Sequence, residues 1–351
     1  MARIAVIGTG WGARAQIPAF RDAGLEIAGI AGSDPEKTRR IAGDLGVEPW
    51  SDWREMVVRS EADLISVTAP PSHHFDMAMM ALEHERHVLC EKPTAMNAAE
   101  AKRMLERATE RPQRLSLIDH ELRFLPTWQE ARTRIAELGE LRFAEVRYAS
   151  PSRSDPGRAW NWWSDADAGG GVWGAVGSHA VDTLRFLVGE VHEAQGLMHT
   201  FVAERPLPGE GTRVVTADDF AGVNLRMKRG VLATMLFTAV AGVDEPTVIT
   251  IHGEEASLRL SGPTLRIAKR GGEWEEARTL PGPRRPGDTA GGWFGTGTFE
   301  LGRALKRAID EDDRHALSFA ATFYDGLAQQ RVLDAARRSH EHGGHWVEVE
   351  Q

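Results

Sequence analysis

The first 120 residues alternate short apolar runs with amphipathic runs, and this alternation constrains the fold more than any other feature. The runs between the apolar ones carry apolar residues at helical spacing. The apolar runs are RIAVIG (3–8), LEIAGIAG (25–32), ADLISVTAP (62–70), RHVLCEK (86–92) and QRLSLIDHE (113–121). Strand–helix alternation at this spacing predicts parallel βαβ units in a doubly wound sheet.

The pattern changes after Pro126. A helix over about 127–138 and the strand LRFAEVRYA (141–149) precede an irregular Trp- and Gly-rich segment that reaches Gly171. Between about 192 and 280 the sequence predicts two hairpins, one turning at Lys228–Gly230, and two helices follow over about 296–311 and 317–340. Gly and Pro in the segment 282–293 predict a mobile loop. With 351 residues, two domains are expected.

Composition excludes several classes of function. The formal charge of −9 disfavours nucleic acid and anionic membrane as partners. We find no apolar run of the roughly 18 residues that a membrane span needs, and the N-terminus has no signal-peptide pattern. The single cysteine, Cys90, excludes an internal disulfide and fits a reducing compartment. These features predict a cytoplasmic protein.

The first strand ends in a G-x-G-x-x-G/A element, the dinucleotide fingerprint, which stands between a strand and a helix as that function requires. Its first glycine permits the turn, and the second lets backbone N–H groups approach a pyrophosphate. The element consists of Gly8, Thr9, Gly10, Trp11, Gly12 and Ala13. A glycine-rich turn without a ligand is the weaker alternative.

The end of the second strand bears on the choice of cofactor. The strand ends at Gly32-Ser33, and the first acid, Asp34, is predicted to cap the next helix and not to bind a ribose. Ser33 with Lys37 or Arg39 can hold a 2′-phosphate, which favours NADP over NAD, although a solvated basic face explains the same residues. The predicted cofactor contacts also include Ala69, Pro70, His74, Glu91 and Lys92, at or just after the third and fourth predicted strands.

Cys90-Glu91-Lys92-Pro93 closes the strand RHVLCEK, at the carboxyl end where open α/β sheets bind ligands. A lysine at that point can donate or accept a proton at a substrate oxygen. The alternative is a Lys–Glu surface pair. A second candidate is GGGVWGAVGSHAVD (169–182), where a helix would place His179 beside Asp182 and above Ala175. That face is either a packed interior with one satisfied histidine or the acid–base part of a site.

Three stretches together resemble the Gfo/Idh/MocA oxidoreductases, the glucose-fructose oxidoreductase and inositol dehydrogenase relatives. They are GTGWGARAQIPAF, VTAPPSHHFDMAMMALEHERHVLCEKP and GGGVWGAVGSHAVD, in that order. The resemblance implies a Rossmann domain (1–124), followed by an open-faced, mainly antiparallel sheet domain (125–351) whose final helix can pack back on the first domain. It also implies an active site between the domains and homodimers or homotetramers formed through the second sheet.

By the same resemblance, Lys92 matches the family's acid/base lysine, Pro93 its proline after a cis peptide, and His179 its proton-relay or substrate-binding histidine. The chain departs from the family's D-x-G-x-H element at Ala175, where many relatives carry a substrate-binding aspartate. The sequence has GA-x-GSH here, as one branch of the family does. Two residues are candidates for the missing carboxylate: Asp182 and Glu121.

Glu121 and Arg123 have the same parity on the predicted strand and would share a side. Arg123 can then hold a substrate carboxylate or pair with Glu121. The chain has tryptophans at positions 160, 162, 163 and 173. Most of these rings are expected to pack on the core, and Trp162 and Trp163 are the candidates to stack on a sugar. No metal site is predicted, because His73 and His74 lack ligands at the right spacing.

The sequence therefore predicts an NAD(P)-dependent oxidoreductase acting on a CH–OH group of a sugar, cyclitol or related polyol, with Lys92 as acid/base. One alternative is a cofactor-recycling enzyme that cleaves or eliminates through a 3-keto sugar. Another is a regulatory protein that binds the cofactor without catalysis. The expected partner is a small molecule.

Overall fold

The computed structural model describes residues 1–279 and 292–350. They divide into two compact units. One unit comprises residues 1–125 and a later segment that ends at Leu327; the other begins at Pro126 and resumes at Ala328. The loop predicted at 282–293 lies, up to residue 291, outside the described residues.

The helices and strands are numbered in chain order. The strands are β1 (Arg3–Ile7), β2 (Glu26–Ala31), β3 (Pro49–Trp50), β4 (Leu64–Val67), β5 (His87–Cys90), β6 (Ser116–Ile118), β7 (Leu141–Ala149), β8 (Val191–His199), β9 (Glu204–Leu207), β10 (Gly211–Val214), β11 (Phe220–Met227), β12 (Leu232–Thr238), β13 (Glu245–Gly253), β14 (Ala256–Ser261), β15 (Thr264–Lys269), β16 (Glu275–Thr279), β17 (Ala321–Thr322) and β18 (Val347–Glu348). The α-helices are α1 (Ile17–Asp22), α2 (Pro35–Leu45), α3 (Trp53–Arg59), α4 (His74–Glu83), α5 (Ala98–Thr109), α6 (Pro126–Arg134), α7 (Ser178–Leu187), α8 (Gly292–Asp310) and α9 (Phe323–Glu341).

The first unit is built on a seven-stranded sheet with the order β17-β6-β5-β4-β1-β2-β3. Every pair in it is parallel except β17 with β6. The central strands are apolar on both faces, as parallel strands covered by helices are; Val6, Ile30, Leu64 and Leu89 are fully buried. This confirms the predicted doubly wound Rossmann sheet.

Helix α8 belongs to the first unit, which corrects the assignment of all residues after 124 to the second domain. Leu301 and Leu305 are buried in the same apolar cluster as Phe20 of α1. A Cβ on Gly302 would lie 2.9 Å from the Cβ of Ala23, so a glycine lets the two helices approach closely. This long-range packing has no local signal in the sequence.

The second unit is built on a nine-stranded sheet with the order β16-β15-β14-β13-β7-β12-β11-β8-β18. Only β12 with β7 is a parallel pair. Both predicted hairpins are present, as β11–β12 and β13–β14. Burial alternates along β12, where Leu232 and Leu236 are exposed between buried neighbours. One face of this sheet is therefore covered and the other open, in keeping with the predicted open-faced, mainly antiparallel domain.

Candidate functional site

The turn after β1 is shaped by contacts that only glycine allows. Gly8 has φ +131° and donates its N–H to Ala31 O at 2.8 Å. A Cβ on Gly8 or on Gly12 would clash with Thr68 Oγ1, which itself donates to Ile7 O at 2.9 Å. These two glycines are needed for the close approach of β1, β4 and the following helical turn (Gly12–Gln16).

Gly10 is different, because the residue is exposed and a Cβ there would meet no atom within 4 Å in residues 1–279 and 292–350, its two chain neighbours apart. Packing therefore gives no reason for a glycine at this position. The turn lies at the carboxyl edge of the parallel sheet, and a helix begins directly after it. An open backbone at such a point fits a dinucleotide phosphate. Trp11 stands beside it, with its ring 6.5 Å from that of Phe294.

The end of β2 is organised by Asp34, whose carboxylate accepts the N–H groups of Glu36 and Lys37 at 3.0 Å. The predicted helix cap is confirmed, and a cap of this kind contributes about 1 kcal/mol. Since Asp34 is engaged with its own helix, Ser33 and Lys37 remain the predicted contacts at the adenosine side. Gly32 adjoins them, and a Cβ there would lie 2.6 Å from Thr9 Cγ2.

His74 is fully buried and connects two loops of the first unit. Its Nδ1 lies 2.9 Å from Pro93 O and its Nε2 lies 2.8 Å from Ala69 O. Burial lowers the pKa of His74 to about 4, so the ring is neutral and only one of its nitrogens donates. His74 thus has a structural role between the loops after β4 and β5. A direct contact with the cofactor, for His74 as for Ala69 and Pro70, stays a prediction.

A buried polar cluster lies where β5 and β6 end. Gln16 Nε2 donates to Asp119 Oδ2 at 2.7 Å and to Glu91 Oε1 at 3.3 Å, while Ser66 Oγ donates to Gln16 Oε1 at 2.5 Å. Lys92 follows Glu91 directly and donates its backbone N–H to Glu91 Oε2 at 3.2 Å. The Lys92–Pro93 peptide is cis, as the resemblance implies.

Three members of this cluster, Gln16, Ser66 and Asp119, are not among the residues predicted from the sequence. Asp119 lies in the apolar run QRLSLIDHE (113–121), but only the pairing of β5 with β6 brings it next to Glu91. Gln16 comes from the helix that follows the glycine turn, and a glutamine in an amphipathic run carries no distinctive signal.

The prediction that Glu121 and Arg123 share one side of a strand is wrong. Strand β6 ends at Ile118, and Glu121–Phe124 form a 3₁₀ turn, so strand alternation does not apply. Arg123 forms an ion pair with Asp325, which lies 202 positions away in the chain. The distance from Arg123 Nη2 to Asp325 Oδ1 is 3.1 Å. Glu121 is 2% exposed, and a Cβ on Gly297 of α8 would lie 2.5 Å from its carbonyl oxygen.

Burial raises the pKa of Glu121 well above its usual range, and the neighbouring Asp119 and Glu91 raise it further. The folded protein therefore keeps Glu121 protonated where the unfolded chain, with an ordinary value of 4.5, has lost the proton. Above that pH the unfolded state binds fewer protons, so stability falls as the pH rises.

We expect Glu121→Gln to remove this pH dependence. The gain in stability of the variant over the wild type should grow from pH 4.5 towards pH 8, by up to about 1.4 kcal/mol per pH unit while the native group holds its proton. Urea unfolding at several pH values measures it. The control is Glu106→Gln, on the exposed face of α5. A gain that is the same at every pH would mean that Glu121 is ionised in the fold.

In the second unit, the three glycines of the GGG stretch have packing reasons. Gly169 has φ +84° and ends a 3₁₀ turn, and a Cβ on Gly170 would lie 2.6 Å from the carbonyl oxygens of Trp162 and Trp163. Gly171 has φ +108°, and a Cβ there would clash with Asp218 Oδ1. The glycines therefore serve the backbone of this loop, not a ligand.

The stretch that follows is helical, as predicted. A π-type turn (Trp173–Gly177) leads into α7, which carries His179 and Asp182, and Ala175 lies in the widened turn. The alignment of Ala175 under His179 expected for a regular α-helix is altered by this turn. His179 is 8% exposed and Asp182 2%. The acid–base role of this buried face stays a prediction.

The tryptophans divide into two kinds. Trp173 is fully buried and donates its indole N–H to Leu333 O at 3.2 Å, so it belongs to the core. Trp162 and Trp163 lie on a 3₁₀ turn capped by Asn161, partly exposed, with ring centroids 5.6 Å apart. The guanidinium of Arg153 lies 4.7 Å from the Trp163 ring centroid and covers one face of it.

Two kinds of site are absent from the described part of the chain. Across residues 1–279 and 292–350, no group of three or more His, Cys, Asp or Glu side chains is arranged to hold a metal ion. Within the same residues, no helix is both long enough and apolar enough to cross a membrane.

Comparison with known proteins identifies the family. The family model described as "Oxidoreductase family, NAD-binding Rossmann fold" matches residues 2–118, and the model described as "GFO/IDH/MocA C-terminal domain" matches residues 128–259. The chain is a member of the Gfo/Idh/MocA family of NAD-binding oxidoreductases. This confirms the resemblance drawn from the three sequence stretches.

Individual relatives agree with this assignment. An uncharacterized oxidoreductase of Synechocystis sp. is 32% identical over 270 residues, which are 75% of this chain and 72% of the relative. Glucose-fructose oxidoreductase domain-containing protein 2 of Xenopus tropicalis is 30% identical over 99% of this chain and 93% of its own.

Solved structures share the fold. An oxidoreductase domain protein from Kribbella flavida matches with a TM-score of 0.87 at 29% identity over 100% of both chains. Levoglucosan dehydrogenase in complex with NADH and L-sorbose matches with a TM-score of 0.87 at 24% identity over 100% of this chain and 99% of that one.

Proposed function

We propose that this protein transfers hydride between a nicotinamide cofactor and the secondary alcohol or ketone carbon of a sugar, cyclitol or related polyol, with Lys92 as acid/base. One observation carries the proposal. β1, β4 and β5 are parallel neighbours, so the glycine turn after β1 and Lys92 after β5 lie at the same edge of one sheet. Ligands bind at this edge in doubly wound folds.

The nicotinamide ring, when bound, takes hydride from the carbon or returns it. In oxidation, the amine of Lys92 removes the hydroxyl proton; in reduction, its ammonium supplies that proton. His179 relays the proton or binds the substrate oxygen. The glycine turn and the loops after β2, β4 and β5 hold the cofactor. No metal takes part in the proposed steps.

The proposed substrate contacts are Glu121, Arg123, Asp182, Trp162 and Trp163. A protonated Glu121 would donate a hydrogen bond to a substrate oxygen, and so would act differently from the aspartate that relatives carry at the position of Ala175. Arg123, held by Asp325, would bind a substrate oxygen or carboxylate through its guanidinium. A carbohydrate substrate is further supported by the neighbour in complex with NADH and L-sorbose.

The proposed cofactor is NADP, with NAD as the alternative. Asp34 is committed to its helix cap, and Ser33, Lys37 and Arg39, at the end of β2 and in α2, are the proposed contacts of a 2′-phosphate. Steady-state KM values for both cofactors with one substrate distinguish them. A single buried cysteine is compatible with the cytoplasmic location that we also propose.

The decisive experiment is an absorbance assay for reduced nicotinamide with NAD or NADP and a panel that includes levoglucosan, L-sorbose and inositol. Net change in reduced cofactor with one of these supports the dehydrogenase. Sugar cleavage without net reduction supports the cofactor-recycling alternative. Cofactor binding with neither reaction across a broad polyol panel supports the regulatory alternative.

We also propose that the open face of the second sheet joins copies of the chain into a dimer or tetramer. Leu236 of β12 and Leu197 of β8 flank Gly222 in one row across the sheet, and both leucines are exposed. An interface between copies would remove these two leucines from water, which supports the proposal.

Replacing both Leu197 and Leu236 by glutamate is therefore expected to lower the sedimentation mass to that of one chain, since an interface would bury the new charges. The matched control is Val243→Glu, an exposed apolar residue outside the strands. An unchanged assembly in the double variant would exclude this face, and a monomeric wild type would exclude the assembly.

A further inference from the structure

Asp119 and Glu91 are buried and accept hydrogen bonds from the same amide. Asp119 is fully buried, and its Oδ1 has no hydrogen-bond donor in reach within residues 1–279 and 292–350. One amide, that of Gln16, serves both groups, and Ser66 fixes which end of that amide faces them. Besides the amide of Gln16, the backbone N–H of Lys92 donates a hydrogen bond to Glu91.

A single amide nitrogen, Gln16 Nε2, lies 2.7 Å from Asp119 Oδ2 and 3.3 Å from Glu91 Oε1, so the two carboxyl groups are close neighbours. An ionised carboxylate only accepts hydrogen bonds, so two ionised groups would have to share this one amide. Two like charges this close, out of water, would also repel each other strongly.

The other titratable and charged groups around the pair come from the ends of β5 and β6. Lys92 is the cation that acts on both carboxyls, and Cys90 and Glu121 are buried neighbours. His120 and Arg123 belong to the same turn as Glu121, and Arg123 is engaged by Asp325. Gln16 and Ser66 are neutral.

We propose that Glu91 and Asp119 hold one proton between them at neutral pH, so that the pair presents one negative charge to Lys92 instead of two. The functional importance of this shared proton rests on the proposed acid/base role of Lys92. One negative charge attracts the side chain of Lys92 less strongly than two would. Glu91 and Asp119 are thus positioning residues for Lys92. Burial raises the pKa of both groups, and the charge of Glu91 raises the pKa of Asp119 further, which agrees with this.

Infrared spectroscopy of the protein in D₂O tests the shared proton without any substrate. The wild type should show the C=O band of protonated carboxyl groups at neutral pH. Glu121→Gln should remove one component of this band, and Asp119→Asn should remove another, because asparagine donates an N–H to Glu91 and lets it ionise. If the band is missing in the wild type, or is unchanged in Asp119→Asn, the proposal is wrong.

The charge presented to Lys92 is tested by its rate of acetylation with acetic anhydride as a function of pH, read from the peptide by mass spectrometry. Lys102, exposed on α5, is the reference in the same digest. In Asp119→Asn the pair keeps one charge, so the midpoint of Lys92 labelling should not move. In the double variant Glu91→Gln, Asp119→Asn the charge is lost, and the midpoint should fall by roughly 1–3 pH units.

A midpoint that falls already in Asp119→Asn would show that both carboxyls are ionised in the wild type and would overturn the proposal. If the labelling midpoint is unchanged in the double variant, the charge of the pair does not act on Lys92, and that part of the proposal is wrong. Should the double variant fail to fold, Glu91→Gln alone, which leaves Asp119 as the only charge, must behave as Asp119→Asn does. If the wild type shows no catalysis in the polyol assay, the proposed function is refuted. The infrared and acetylation results still test the shared proton in that case.

Discussion

Replacing Lys92 by alanine is expected to lower kcat by roughly 10²–10⁴, measured at saturating cofactor with the polyol that the assay identifies. The residue directly follows β5 at the sheet edge that also carries the glycine turn. Alanine there leaves the reacting oxygen without a group that takes or supplies its proton. Because the loss concerns proton transfer, it should appear in kcat more than in the KM for the substrate.

The matched control is Lys102→Ala, which removes an exposed lysine from α5 and, with it, an ion pair to Glu106 at 3.9 Å. An exposed pair of this kind contributes little, so this variant should keep both turnover and stability. Cofactor binding of Lys92→Ala, followed by fluorescence titration, separates a catalytic loss from a binding loss. Full turnover in Lys92→Ala with bound cofactor would refute the acid/base role.

The second large effect is expected for Gly10→Ala, which should weaken binding of the dinucleotide at least tenfold, or about 1.4 kcal/mol, without unfolding the protein. In the described part of the chain, a Cβ at this position meets no atom within 4 Å beyond the neighbouring residues, so packing there does not require the glycine. A pyrophosphate held by the backbone N–H groups of the turn would be displaced by the methyl group. Isothermal titration with NAD and NADP measures the change.

Two other glycines provide controls for this variant. Gly43→Ala, inside α2, also meets open space and should leave binding unchanged while raising stability by roughly 0.5–1 kcal/mol. Gly8→Ala should instead destabilise the fold, because its φ is +131° and its Cβ would clash with Thr68. Should Gly10→Ala bind the cofactor as tightly as the wild type does, the backbone at Gly10 is not part of the site.

Much of the first unit could be predicted because its signals are local. Each strand of its sheet from β1 to β6, except the short β3, stands within a predicted apolar run, and Asp34 caps α2 as its position suggests. The two-residue strands β3 and β17 are too short to show a period. Helix α8 was assigned to the wrong domain, since its partners in α1 lie about 280 positions earlier in the chain.

The sequence by itself determined the alternation, the glycine turn and the position of Lys92 after β5, because periodicity and turn chemistry act between near neighbours. Only the tertiary structure decided which residues surround that lysine. Gln16, Glu91 and Asp119 come from three separate stretches, and they meet because β5 and β6 are parallel neighbours and Gln16 reaches both carboxyl groups. Burial then raises the pKa of Glu91 and of Asp119. Burial is a property of the packed core, and no single stretch of sequence contains it.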